Sequence, residues 1–162
     1  MYCPLCRQEL VTGQVGDRSR LMCPSDECDY VKWDNPIPVV AAIVELDGEI
    51  VLTRNKGWPD KWYGLVAGYL ERGETPDEAV LREVHEELGL SGEIADFVGY
   101  YSFHKRNQLI LAFHVTTTGE ITLGDELEDA KLVEPEDVRP WKIGTGPALR
   151  DWLKSRGIES VS

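Results

Sequence analysis

Residues 68–90, GYLERGETPDEAVLREVHEELGL, constrain this chain more than any other stretch. Their second half predicts a helix. Thr75 can cap its N-terminus, Pro76 suits the first helical position, and Glu78 completes a T-x-x-E capping box. Gly89 is the residue type that ends a helix in the left-handed conformation. At about 100° per residue, Glu83, Glu86 and Glu87 share an arc of roughly 100°. Ala79, Val80, Val84 and Leu88 mark a separate apolar face that packs inward. Like charges at these spacings cost an isolated helix about 0.2–0.5 kcal/mol per pair. A divalent cation would remove that repulsion, and a solvated acidic face is the other reading the triplet allows.

The whole segment reads G-x5-E-x7-R-E-(aliphatic)-x-E-E-x-G-(aliphatic). Gly68, Glu74, Arg82, Glu83, Val84, Glu86, Glu87, Gly89 and Leu90 fill its specified positions. This pattern resembles the Nudix box, the signature of hydrolases acting on nucleoside diphosphates linked to another moiety. The resemblance implies an α/β fold, an α/β/α sandwich with a mixed sheet. It also implies Mg2+ or Mn2+ held by Glu83, Glu86, Glu87 and the backbone carbonyl of Ala67. Glu74 and Arg82 match an ion pair that braces the loop against the helix. For the general base, some relatives use the position of Glu83. Others recruit a downstream glutamate from an E-(aliphatic)-x-E-A-R-W segment, which residues 126–132, ELEDAKL, resemble. That nominates Glu126 first, with Asp129 and Glu128 behind it, against the alternative of a solvated acidic loop. His85 falls on an unconstrained box position and reads as a surface residue. Neither HExxH nor a nucleophile–base pair is present, so the expected chemistry is direct attack by water.

All four cysteines precede residue 29, as Cys3-x2-Cys6 and Cys23-x4-Cys28. Two close pairs suit a tetrahedral Zn2+ carried on two short turns, and Pro4 and Pro24 stiffen those turns. A disulfide is the alternative and needs an oxidising compartment, which nothing here indicates. Four thiolates would close the coordination sphere and make the role structural. The organisation expected is a zinc ribbon over residues 1–32 and a Nudix hydrolase domain over residues 33–162.

The chain has 162 residues, enough for one domain with a core plus a small appendage. Its formal charge of -12 disfavours a long nucleic-acid polymer as partner, because phosphates would be repelled. The first ten residues lack the apolar core of a signal peptide, and no run of apolar residues is long enough to span a membrane, so the expected location is cytoplasmic. Residues 30–38 read as a connector. Strands are expected at the apolar run from Val39, at 49–54 after an Asp47-Gly48 hairpin turn, and at 62–67, 94–103, 109–117 and 130–133. Residues 147–156 read as a closing helix, with Thr145 near its start and Gly157 past its end.

A ribbon followed by Ala67-Gly68-Tyr69-Leu70-Glu71 is similar to the NADH pyrophosphatase group and to FAD- and ADP-ribose-cleaving enzymes. Those NADH pyrophosphatases carry SQPWPFP shortly after the box, where this chain has residues 101–108, YSFHKRNQ. NADH, NAD, ADP-ribose and FAD therefore all stay open as substrates. Tyr101, Phe103 and His104 could stack a base or contact phosphate, or serve as inward strand residues beside a solvated turn. Arg54, Lys56 and the WPDKW run at 58–62 are further candidates for substrate contact. Three other functions remain in view: a non-catalytic nucleotide-sensing module with a partner-binding ribbon, a dNTP-sanitising pyrophosphohydrolase, and a zinc-ribbon nucleic-acid adaptor. The complete carboxylate set argues against the first. The scarcity of cations before residue 33 (Arg7, Arg18, Arg20, Lys32) argues against the last. The resemblance also leads us to expect a homodimer.

Overall fold

A computed structural model describes residues 1–158. Two compact units are present, Met1–Asn35 and a second that begins at Pro36. In the first, β1 (Val11–Val15), β2 (Arg18–Met22) and β3 (Val31–Lys32) form an antiparallel sheet in that order. Gly16, at φ 63°, makes the tight turn between β1 and β2. The core of this unit is small: Cys3, Leu10 and Cys23 are its buried apolar residues, with Leu21, Cys28 and Tyr30 packed against them. Trp33 belongs here because the Arg20 guanidinium stacks on its ring and donates to its carbonyl.

The second unit contains β4 (Ile37–Leu46), β5 (Glu49–Asn55), β6 (Val66–Tyr69), α1 (Pro76–Leu88), β7 (Ser91–Phe103), β8 (Gln108–Thr118), β9 (Leu127–Val133) and α2 (Gly146–Ser155). The sheet runs β7-β8-β4-β5-β9, with β6 also paired to β4. Only β4 and β8 are parallel, so the sheet is mixed as expected. The Asp47-Gly48 turn is left-handed at both residues, φ 53° and 92°, which matches the twist of the hairpin it closes.

Residues 39–44 are buried on both sides of β4, as a near-continuous apolar run demands. Val40, Ala42 and Val44 pack with Ala79, Val80, Val84 and Leu88 of α1. On the opposite face, Ile43, Ile50 and Leu52 pack with Leu149, Trp152 and Leu153 of α2. Helices on both faces give the three-layer α/β/α architecture. The buried His114 is tied to Glu45 at 2.8 Å, and Arg156 reaches the same carboxylate at 3.3 Å. The α2 side is covered unevenly. Val39, Ala41 and Ile110 form a separate apolar cluster with Ala67, Tyr101 and Phe103 at the other end of that face.

β3 and the start of β4 at Ile37 fall in the stretch expected as a connector, and the other strand limits that depart most from expectation do so for tertiary reasons. The strand expected at 62–67 lies at Val66–Tyr69, because residues 66–69 pair with Val39–Ala42 while Gly64 makes one isolated bridge to Thr53. β7 starts at Ser91, extended by pairing with Thr118, and β9 starts at Leu127, opposite Asn55. Among the described residues, no helix is long and apolar enough to cross a membrane.

Candidate active site

Helix α1 is built by its own ends. Thr75 Oγ1 accepts the Glu78 N–H at 3.3 Å, and Glu78 Oε2 accepts the Thr75 N–H at 2.8 Å, so the capping box is complete. Gly89 closes the helix at φ 68°, its N–H bonded to the His85 carbonyl. Buried Val84 and Leu88 fix the rotation of the helix, which turns the glutamates toward β6. Glu83 then lies so close to that strand that a β-carbon on Gly68 would overlap its carboxylate. His85 is exposed, as its unconstrained position in the pattern leads us to expect.

Arg82 organises this face. Its guanidinium donates to Glu74 through Nε at 3.0 Å and Nη2 at 2.8 Å, a bidentate pair. Nη1 reaches Glu83 at 2.7 Å and Glu86 at 3.4 Å, and Nη2 also donates to the Tyr69 carbonyl. Glu74 accepts the Glu71 N–H as well, at 2.7 Å. These hydrogen bonds, that from Arg82 first, hold the Glu74 carboxyl down at about 2.

Glu87 has no such partner. It is 7% exposed, and burial, then the charges of Glu83, Glu126 and Glu86, push its pKa up to about 8 against the opposing hydrogen bond from the Ala67 N–H. Burial raises Glu83 too, although Arg82 lowers it. Glu126 thus shares a field with both. It is brought there by residues 122–124, which hang on the C-terminal carbonyls of α1. The Thr122 N–H donates to Leu88 O and the Gly124 N–H to Glu87 O, each at 2.8 Å. A β-carbon on Gly124 would overlap the Glu86 carbonyl oxygen. The Lys56 N–H then holds the Glu126 carbonyl at 2.9 Å.

The donor set of Glu83, Glu86, Glu87 and the Ala67 carbonyl is all oxygen, which suits a hard divalent cation. Only the four cysteines, among the described residues, bring three or more ligand atoms within 4.8 Å of one another. Their sulfurs approach at 3.3 Å (Cys6–Cys23) and 3.7 Å (Cys3–Cys28). A tetrahedral ion with metal–sulfur bonds of about 2.3 Å needs sulfurs about 3.8 Å apart, so these residues fit one such ion. No cysteine is in a disulfide.

The uncovered half of the α2 face is a cleft of about 830 Å³. Its floor includes Val39, Leu52 and Ile110, and Ala67, Gly68 and Glu87 form part of its wall. Trp58, Trp62, Tyr63, Tyr69, Phe103 and Trp141 also line it. Of the substrate-contact residues read from the sequence, Phe103 lies on this cleft, together with Trp58, Lys61 and Trp62. Arg54 points instead into ion pairs with Asp60 at 3.1 Å and Glu128 at 3.0 Å. Tyr101 donates to Asp151 at 3.1 Å, and the exposed Lys56 and His104 lie off the cleft. Asp129 accepts from the Tyr63 hydroxyl, so the acids behind Glu126 are engaged in structure. Tyr63, Lys131, Arg139 and Trp141 escaped sequence reading. Each becomes a wall residue only through the pairing of β5 with β9 and the segment that follows.

A model of the NUDIX domain matches residues 35–153. The NAD-capped RNA hydrolase NudC of Pseudomonas aeruginosa is 30% identical over 142 residues, covering 86% of this chain and 49% of that protein. The chain therefore spans about half the length of the curated NudC relatives it matches. An ADP-ribose pyrophosphatase of Methanocaldococcus jannaschii is 29% identical over 131 residues, 77% of this chain and 78% of the relative. Among solved structures, a NUDIX hydrolase from Nitrosomonas europaea superposes with a TM-score of 0.81 at 23% identity. That match covers 99% of this chain and 94% of the other, a likeness of fold.

The depressed Glu74 pKa makes a signed prediction. Its ion pair adds stability in full above the unfolded carboxyl value near 4.5, and loses it as pH falls toward about 2. In urea denaturation, wild type should exceed Glu74→Gln in stability at neutral pH, with the gap closing between those two values. A gap that does not change across that window would contradict the assignment.

Proposed function

The chain belongs to the NUDIX family, and from that premise we propose that it is a metal-dependent pyrophosphatase. It cleaves a nucleoside diphosphate linked to another moiety, of the NAD(H), ADP-ribose or FAD class, into two phosphomonoesters by direct attack of water. The observation that carries this reading is the placement of Glu87. This buried, cation-free carboxylate is crowded by Glu83, Glu86 and Glu126 at the wall of an aromatic cleft.

Mg2+ or Mn2+ bound by Glu83, Glu86, Glu87 and the Ala67 carbonyl would neutralise phosphate oxygens and favour ionisation of the attacking water. The remaining work belongs to the chain. Glu126, tethered to the end of α1, accepts the proton from water as its oxygen forms a bond to phosphorus and the P–O bond to the bridging oxygen breaks. Arg82 and Glu74 hold the loop against the helix without touching substrate. Trp58, Trp62 and Phe103 offer rings on which a base can stack. The relatives named NAD-capped RNA hydrolases narrow the expectation drawn from net charge: repulsion of a long polymer does not bar a capped RNA end whose chain would extend away from the cleft.

The test is a panel of NADH, NAD, ADP-ribose, FAD, diadenosine polyphosphates, dNTPs and an NAD-capped oligonucleotide with Mg2+ or Mn2+, with products chromatographed. AMP and a second monophosphate are expected from a dinucleotide or ADP-ribose substrate. Glu83→Gln and Glu87→Gln should each lower kcat by about 10²-fold or more with thermal unfolding unchanged. Full activity in both variants, or pyrophosphate release from a dNTP as the preferred reaction, would contradict the assignment.

For the cysteine cluster we assign a structural Zn2+ on Cys3, Cys6, Cys23 and Cys28. A unit with so small a core needs metal for stability. Elemental analysis should find one zinc per chain, and its removal should open residues 1–35 to protease while the remainder stays resistant. Continued protection of those residues after complete zinc loss would refute the role.

A further inference from the structure

Building on the pyrophosphatase reading of this cleft, we propose that Lys131, with Arg139, binds a phosphate that the ligand carries outside the scissile diphosphate. Acidic residues outnumber lysine and arginine 29 to 17 in this chain. The cleft reverses that balance: Lys61, Arg106, Lys131 and Arg139 line it against the acids Glu87 and Asp137. Among the described residues, none of these four cations has a carboxylate within 4.0 Å, whereas Arg54, Arg82 and Arg156 are all paired. A cation left unpaired in so acidic a chain is available for an anionic ligand.

Position decides which anion. Lys131 stands opposite Leu52 in the β5–β9 register, five residues beyond Glu126. Because β9 bulges at Glu128, Lys131 and Leu127, the neighbour of Glu126, stand opposite Leu52 and Asn55, three residues or about 10 Å apart along β5. Glu126 shares its field with Glu83 and Glu87, so this offset along β9 sets Lys131 apart from those carboxylates, at a second pole of the cleft. It is also held in place. Its Nζ lies 4.0 Å from the centroid of the Tyr63 ring, and the Tyr63 hydroxyl donates to Asp129, two residues earlier on the same face of β9. Arg139 donates to the Glu136 and Val138 carbonyls at 2.8 and 3.2 Å, contacts that orient its guanidinium without cancelling its charge.

A ribose or a base gives such a pole nothing to neutralise. A further phosphate does. That phosphate has two sources, an ester on a ribose of a dinucleotide or the first chain phosphate of an RNA bearing a nucleotide cap. The first is a largely dianionic monoester and the second a monoanionic diester, and both present anionic phosphate oxygens to Lys131.

The experiment compares kcat/KM for NADPH against NADH, and for an NAD-capped oligonucleotide against NAD, in wild type, Lys131→Gln and Arg139→Gln. Binding of adenosine 2′,5′-bisphosphate against AMP is measured in parallel by calorimetry, without turnover. In Lys131→Gln at least one phosphorylated-to-plain ratio should fall about tenfold. A fall confined to the NADPH ratio assigns the phosphate to a dinucleotide, and one confined to the capped oligonucleotide assigns it to RNA. If no substrate is cleaved by wild type, the pyrophosphatase reading fails. The calorimetry then decides the Lys131 site: a preference for the bisphosphate that Lys131→Gln abolishes sustains it, and no such preference overturns it. Where turnover is measurable, ratios unchanged within about twofold in both variants overturn the proposal.

Discussion

The close approach of α1 to β6 at Gly68 is the constraint on which the site depends. No side chain stands between the strand and Glu83, so the acidic turn of the helix meets the backbone of residues 67 and 68 directly. That contact puts a buried carboxylate, Glu87, within hydrogen-bonding reach of the Ala67 N–H and beside a cleft on the other side of the sheet. Any side chain at 68 would displace the Glu83 carboxylate from its place against the strand. The packing that allows the contact is ordinary. Val84 and Leu88 are fully buried, and they fix which residues of the helix face the strand.

Charge on this face is divided unequally. Arg82 serves Glu74 first and reaches Glu83 and Glu86 with its remaining donor, so three of the acids share one cation. Glu87 is left out, and its elevated pKa records both its burial and the negative field around it. A folded chain tolerates such an uncompensated group only where surrounding packing enforces it, and functional sites are where such groups concentrate. The cleft beside it arises from incomplete coverage. α2 packs on Ile43, Ile50 and Leu52, while the apolar floor at Val39 and Ile110 stays open.

Much of the α1 half of the site was legible in the sequence because its determinants are local. The capping box, the terminal glycine, the Glu74–Arg82 pair and the acidic arc lie within one short segment, and each is realised. The register of β6 was not legible, since it is set by pairing with residues 39–42 and by the need to place Gly68 against Glu83. The acidic run after Glu126 reads in isolation as a loop. It is a strand, because Glu128 and Asp129 find Arg54 and Tyr63, 74 and 66 residues away. The cleft wall was invisible for the same reason: Tyr63, Lys131 and Trp141 converge only after β5 and β9 have paired.

Manganese binding measured by electron paramagnetic resonance tests the central claim most directly, because Mn2+ prefers carboxylate oxygen to thiolate and so reports on α1 rather than on the cysteine cluster. Titration of wild-type protein should show saturable loss of the free-ion signal, and Glu87→Gln should weaken that binding by about tenfold or more. Equal affinity in wild type and Glu87→Gln would mean that these carboxylates do not form a metal site.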